Sequence, residues 1–401
     1  MKISKKIVFI LVCVALLQQV VHAEDAPQKV NALGAIVIEA ETGRVLWGKN
    51  EHTPLAMAST TKIMTAVLAL ESGRMNETVV VSGRAAAAPK VKMSLTKGEE
   101  VRLGDLMLAL MLESSNDAAV AIAEHLGGTV EDFCAQMTAK AHELGATNTI
   151  FETASGLDAG QHQSTAYDLA LITRYALNVE GFIELTNTRS ASFSSNKRSY
   201  SFYNKNRLLD EFQGANGVKT GFTNKAGHCF VGAAKRDGMQ IISVVLASGW
   251  GAQGRNQKWV DTKAILNYAF ENFAFETVLE AQTAAGEISV TRTKSAPIGL
   301  YYESGVRVPI SGKEKIEISH DLPDAVQAPV QRDTHVGTAT IIIDGEAYTT
   351  IALLASETAA RHDFKTSLEK ILAMQAKFLT MQDVEVTLPE FFAFPNILPP
   401  T

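Results

Sequence analysis

Strand-like patterning lies at both ends of one long helical stretch, and this restricts the fold more than any other feature of the sequence. Residues 35–49 (AIVIEAETGRVLWGK) read as two short strands joined at Glu41-Thr42-Gly43. Residues 59–70 then read as a helix, with Ser59, Thr60 and Thr61 as start signals and Gly73 as its stop. From 103 to 144 the chain is rich in Ala, Leu, Met and Glu at helical spacing. Strands return at 229–234 and 239–246 around Arg236-Asp237-Gly238, and residues 256–273 fit an amphipathic helix. One sheet must therefore be assembled from segments far apart in the chain, in a single domain covering 24–275.

After Phe275 the texture changes. Residues 286–356 alternate Val, Ile, Thr and Tyr with turn signals such as Asp344-Gly345, which predicts a small all-β domain, a sandwich. Residues 364–381 place Phe364, Leu368, Ile371, Leu372, Phe378 and Leu379 at helical spacing, an amphipathic helix, and a proline-broken apolar tail follows. The expected division is 1–23, 24–275, 276–360 and 361–401.

The first segment sets the compartment. Lys2, Lys5 and Lys6 precede an unbroken apolar run, 7–17, and Val21-His22-Ala23 offers small residues where a signal peptidase cleaves. The run is short for a permanent membrane anchor. Residues 1–23 are thus expected to export the chain and be removed, leaving Cys134 and Cys229. These can pair in an oxidising compartment, but their apolar contexts favour two buried free thiols. The formal net charge of −6 argues against a nucleic-acid partner, which needs a concentrated basic face. No Cys-x-x-Cys pair supports a zinc ribbon or a thioredoxin-type site.

Three short motifs carry chemistry. Ser59-x-x-Lys62 puts two side chains one turn apart on a helix. A serine hydroxyl needs a nearby base, and a lysine serves if burial or a second cation disfavours its charged form. Alone, the pattern equally fits a capped helix with an exposed lysine. Ser114-Ser115-Asn116 lies between helical runs, as a proton-relaying hydroxyl with a substrate-holding amide, or as a plain capped turn. Lys219-Thr220-Gly221, at a strand start before the second hairpin, offers a cation, a hydroxyl and a glycine that admits a ligand to the backbone, or is only an edge strand.

In this order the three form the signature of penicillin-binding proteins and class A β-lactamases. The sequence resembles the serine D-alanyl-D-alanine carboxypeptidases, the low-molecular-mass penicillin-binding proteins. The resemblance runs over about 30–360. It includes Pro54–Thr65, Ser115-Asn116-Asp117-Ala118, Ala154-Ser155-Gly156-Leu157-Asp158, Ser164–Ala170, Gly214–Thr223 and Gly254-Arg255. Ser115 stands where the family often has glycine, but the side chains that act flank it. The implied fold is α+β: a β-lactamase/DD-peptidase-like domain, with an antiparallel sheet flanked by helices and a helical subdomain, then the β domain as a stalk and the amphipathic helix.

The resemblance implies Ser59 as acylated nucleophile, Lys62 as its base, and Ser114 with Lys219 as the path of the proton to the departing D-alanine. Asn116 would hold the substrate amide, and Thr220 and Arg255 the terminal carboxylate. The N–H groups of Ser59 and Phe222, beside Gly221, would form the oxyanion hole. Water would then hydrolyse the acyl-enzyme, with neither metal nor cofactor. The implied partners are peptidoglycan stem peptides ending in D-Ala-D-Ala, β-lactams that acylate Ser59, and the cytoplasmic membrane surface through the C-terminal helix. The implied location is periplasmic or otherwise extracytoplasmic, peripheral on the outer face of that membrane. A β-lactamase ranks second, because Glu152, the only acid at a suitable distance for deacylation, lacks the Glu-x-x-Leu-Asn context. An inactive peptidoglycan-binding scaffold ranks third.

Overall fold

The computed structural model describes residues 26–381 except 28, 295, 296 and 363. The segment 1–23 and the tail beyond 381 lie outside the described residues. The chain divides into two compact units: the first runs to Phe275 and also takes in Val308–Gly312, and the second holds Glu276–Arg307 and the residues from Lys313 onward.

The first unit is built on a five-stranded antiparallel sheet. Its spatial order is Val45–Lys49, Gly34–Glu39, Met239–Leu246, Gly227–Arg236 and Ala215–Thr223. The first hairpin thus pairs with strands from the far end of the domain, Gly34 lying opposite Leu246. Both faces of the sheet are apolar and covered, and alternate residues supply each face. Ile36, Ile38, Val231, Ile242 and Val244 pack with the helices Lys62–Glu71, Asn116–Gly127, Val130–Glu143 and Ala166–Ala176. Ala35, Val37, Phe230, Ile241 and Val245 pack with the long helix Gly251–Asn272 through Trp259, Ile265, Leu266 and Ala269. Cys134 and Cys229 are buried and free.

Two details differ from the sequence expectation. Ser59, Thr60 and Thr61 do not cap an α-helix. They form a 3₁₀ turn, Ala58–Thr61, and the α-helix proper begins at Lys62. The Thr60 and Thr61 hydroxyls donate back to the carbonyls of Met57 (2.7 Å) and Ala58 (2.8 Å) and so tighten the turn. Lys219 does not open its strand but lies in the middle of Ala215–Thr223, at the edge of the sheet. A serine-rich hairpin, Ser190–Ser194 with Ser199–Tyr203, was not foreseen, because its small polar residues give little hydrophobic periodicity.

The second unit carries a six-stranded sheet in the order Ile316–Asp321, His335–Ile343, Glu346–Ala355, Ile298–Tyr302, Ala284–Thr291 and Ala325–Gln327. The helix Phe364–Met381 follows, with Phe364, Leu368, Ile371, Leu372 and Met374 exposed.

Candidate active site

The centre of the site is the amine of Lys62, which is fully buried. Its Nζ lies 3.0 Å from Ser59 Oγ and 2.9 Å from Asn116 Oδ1, and it donates to the Ser155 carbonyl at 2.5 Å. Burial pushes this amine well below the usual lysine range. Lys219 pushes it further and Asp117 opposes. A neutral amine has two N–H groups and one lone pair. A backbone carbonyl and an amide oxygen can only accept, so Ser155 and Asn116 take the two N–H groups. That leaves the lone pair of such an amine toward Ser59 Oγ, whose hydroxyl also lies 3.3 Å from the Ser155 carbonyl, an arrangement that a base beside a serine would need.

Each neighbour is fixed from below. Asn116 donates through Nδ2 to the Pro89 carbonyl (3.2 Å), which orients its Oδ1 toward Lys62. The next residue, Asp117, is fully buried, and its carboxylate accepts from the N–H groups of Met93 (3.0 Å), Leu95 (2.9 Å) and Ala118 (3.0 Å). This ties the 91–95 segment to the helix that carries Asn116. Ser114 precedes that helix in the left-handed region (φ 68°), where a non-glycine residue is held only by its surroundings. Both polar ends of Asn116 are occupied, so its first duty is to hold Lys62.

The loop that supplies the Ser155 carbonyl closely approaches the Ala58–Thr61 turn. Gly156 has φ +85°, and a Cβ there would lie 2.0 Å from the Ala58 oxygen and 2.8 Å from Ser59 N, so only glycine fits. On the other side, a Cβ on Gly221 would lie 3.1 Å from Ser59 N. The edge strand therefore runs directly beside Ser59.

That strand carries Lys219, Thr220, Gly221 and Phe222, of which Gly221 lies against the Ser59 turn. Lys219 is buried and donates to the Thr220 carbonyl (3.1 Å). Burial, with the charges of Lys205 and Lys258, lowers its pKa to about 7 against the pull of Glu113. Thr220 faces the long-helix side of the sheet, opposite Phe230. Phe222 is exposed and its ring stacks 4.4 Å from His228. Arg255 is exposed in the first turns of the long helix, beside Gly254, whose Cβ position meets His228 Cδ2 at 2.8 Å. Lys258, one turn on, is buried, and burial lowers its pKa to about 8. Glu152 is exposed, and its carboxylate accepts from the Gln161 N–H (3.1 Å). Sequence reasoning passed over the Ser155 carbonyl, which carries no side-chain signal, and over His162 and Lys258, and it named Asp117 only within a motif, without the loop it holds.

Comparisons with known proteins identify the family. The family described as D-alanyl-D-alanine carboxypeptidase matches residues 20–249, and the penicillin-binding protein 5 C-terminal domain matches 273–361. D-alanyl-D-alanine carboxypeptidase DacF of Bacillus subtilis is 31% identical over 356 residues, 86% of this chain and 90% of that relative. DacC of Escherichia coli, of the same description, is 29% identical over 85% of this chain and 87% of its own. The crystal structure of penicillin binding protein 5 from Haemophilus influenzae superposes with a TM-score of 0.69 at 26% identity, covering 84% of this chain and all of that one. With its buried lysine beside a serine, its edge strand and its appended β domain, this chain belongs to the D-alanyl-D-alanine carboxypeptidase family.

Proposed function

We propose that Ser59 is the residue acylated when this D-alanyl-D-alanine carboxypeptidase removes the terminal D-alanine of a peptidoglycan stem peptide, and that Lys62 is the base. The observation that carries this reading is the set of partners around Lys62 Nζ: two obligate acceptors and one hydroxyl. Lys62 takes the Ser59 proton as Oγ attacks the carbonyl carbon between the two D-alanines. The oxyanion is met by the N–H groups of Ser59 and Phe222, each such donor contributing about 10²–10³ in rate. Lys62 then returns the proton, through Ser114 and Lys219, to the departing amine. Water hydrolyses the ester and the cycle closes. Thr220 and Arg255, with Lys219, bind the terminal carboxylate, for which a guanidinium fork is well shaped. A β-lactam presents a similar acyl group and acylates the same hydroxyl.

The domain division follows the sequence: 24–275 performs the chemistry, 276–360 is the β domain and 361–401 the helix and tail. The reading extends to location. Residues 1–23 export the chain, and the helix Phe364–Met381 lies in the surface of the cytoplasmic membrane on its outer side. Support comes from its exposed Phe364, Leu368, Ile371, Leu372 and Met374, and from Lys365, Lys370 and Lys377 set against the single acid Glu369. Among the described residues no helix is long and apolar enough to cross a membrane.

The test is incubation with a penicillin followed by peptide mapping. The added mass is expected on Ser59, with D-alanine released from a diacyl-D-Ala-D-Ala peptide and only slow loss of the penicilloyl group. An adduct elsewhere overturns the assignment, and rapid loss of the adduct favours a β-lactamase.

A further inference from the structure

His162 lies in the protein interior, 3% exposed, and none of the steps above uses it. It sits at the base of the loop that delivers the Ser155 carbonyl. Backbone pairs Ile150 with Gln163 and Leu55 with Ser164 close that base. The imidazole joins the loop to the nucleophile turn: its Nδ1 accepts from the Glu152 N–H (3.1 Å), and its Nε2 lies 2.9 Å from Thr61 Oγ1.

The direction of each proton in this chain is determined. A backbone N–H can only donate, so Nδ1 carries no proton and Nε2 carries it. Nε2–H therefore donates to Thr61 Oγ1, and the Thr61 hydroxyl donates to the Ala58 carbonyl (2.8 Å). Ala58 has φ +49°, an uncommon conformation for alanine, and its peptide unit ends in the N–H of Ser59. The same carbonyl lies against Gly156. Burial, with Lys225 and Lys62 adding to it, lowers the imidazole to about 4, in keeping with a ring held neutral.

We propose that His162, in its neutral Nε2–H form, is a positioning residue for acylation: through Thr61 it fixes the Ala58–Ser59 peptide, and through Glu152 it sets that turn against the Ser155 loop. It touches neither substrate nor the reacting atoms. Its effect is on the aim of Ser59 Oγ and of the Ser59 N–H, where misplacement by about 1 Å can cost 10²-fold in rate. The inference rests on Ser59 being the nucleophile.

The experiment measures penicillin acylation of the full chain in stopped-flow with adduct mapping, and kcat and KM on a diacyl-D-Ala-D-Ala peptide. His162→Phe keeps a ring but removes both polar atoms, and acylation at Ser59 is expected to slow by about 10–100-fold, in kcat rather than KM. His162→Gln can accept from Glu152 with its oxygen and donate to Thr61 with its nitrogen, and is expected to recover most of the rate. Thr61→Val cuts the same chain, so the double variant His162→Phe/Thr61→Val is expected to be no slower than His162→Phe alone. Should His162→Phe fail to fold, Thr61→Val and His162→Gln still decide the matter. Wild-type acylation in Thr61→Val, multiplicative losses in the double variant, or a His162→Gln no better than His162→Phe each overturn the proposal. An adduct mapped away from Ser59 in the wild-type protein removes the functional reading itself.

Discussion

The two walls of the catalytic cleft are built on opposite plans. The helix wall, with Ser59, Lys62, Asn116 and Asp117, has its polar atoms tied to backbone groups of two separate loops, 89–95 and the loop of Ser155. The edge-strand wall, with Lys219, Thr220 and Phe222 and with Lys258 and Arg255 behind it, gathers cations. Among the described residues no carboxylate forms a salt bridge with Lys219 or Lys258, although both are buried. The difference separates two tasks. Under the proposed mechanism, one wall is finished before substrate arrives and disfavours the charged form of its lysine, while the other leaves positive charge for an incoming carboxylate to complete.

The strongest way to break this comparison is at Lys62. Lys62→Ala is expected to melt cooperatively, yet to lose penicillin acylation by at least about 10³-fold, because the hydroxyl loses its base. Retained acylation removes Lys62 from the role. On the other wall, Arg255→Ala is expected to raise KM for the free carboxylate substrate by about 10–100-fold, with little effect on the same peptide capped as its amide. Equal losses on both substrates mean that Arg255 does not read the carboxylate.

Lys219→Met sharpens the contrast further. It is expected to abolish turnover and yet to raise the melting temperature, since a buried cation without a carboxylate costs stability and an apolar chain of similar length does not. Gly156→Ala, by contrast, is expected to lower stability by about 2–4 kcal/mol, from the collision with Ala58 and the positive φ. Denaturant melts of the two variants provide the comparison.

A smaller effect concerns pH. Lys219 titrates near 7, and only its charged form attracts a carboxylate. Raising the pH through 7 therefore weakens binding, and KM for the carboxylate substrate is expected to climb by up to about tenfold per unit, while the amide shows no such slope. A flat KM profile for both substrates refutes this. The least effect is expected at the two cysteines: burial pushes Cys134 up to about 11 and Cys229 up to about 12, so neither should react with a thiol reagent in the folded chain.

Much of the molecule was legible in the sequence because it rests on periodicity and on side-chain chemistry. The apolar runs at 229–234 and 239–246 gave the central strands, and the Arg236-Asp237-Gly238 turn gave their hairpin. Of the Ser-x-x-Lys, Ser-x-Asn and Lys-Thr-Gly motifs, the fold joins Ser59, Lys62 and Asn116 by hydrogen bonds and lays Gly221 against the Ser59 turn. What stayed hidden acts through the main chain. The Ser155 carbonyl completes the coordination of Lys62, but a carbonyl is present at every position and marks none. The twist at Ala58 depends on Gly156, nearly a hundred positions away, and no local preference of alanine announces it. Asn116 was read for its amide toward substrate, whereas its partner depends on Pro89, which only the folded chain brings near. The 3₁₀ start at Ala58–Thr61 replaced an α-helical one because the threonine hydroxyls bond backward to carbonyls instead of forward to N–H groups.

The position of the first hairpin in the sheet has a consequence for how the molecule comes into being. Gly34–Glu39 is an interior strand, yet its partner on one side, Met239–Leu246, is among the last parts of the domain to be synthesised. The layer cannot close while the ribosome is still making the helical middle. Completion is therefore a late, long-range event, of the kind that slows folding and lengthens the time a polypeptide stays pliable.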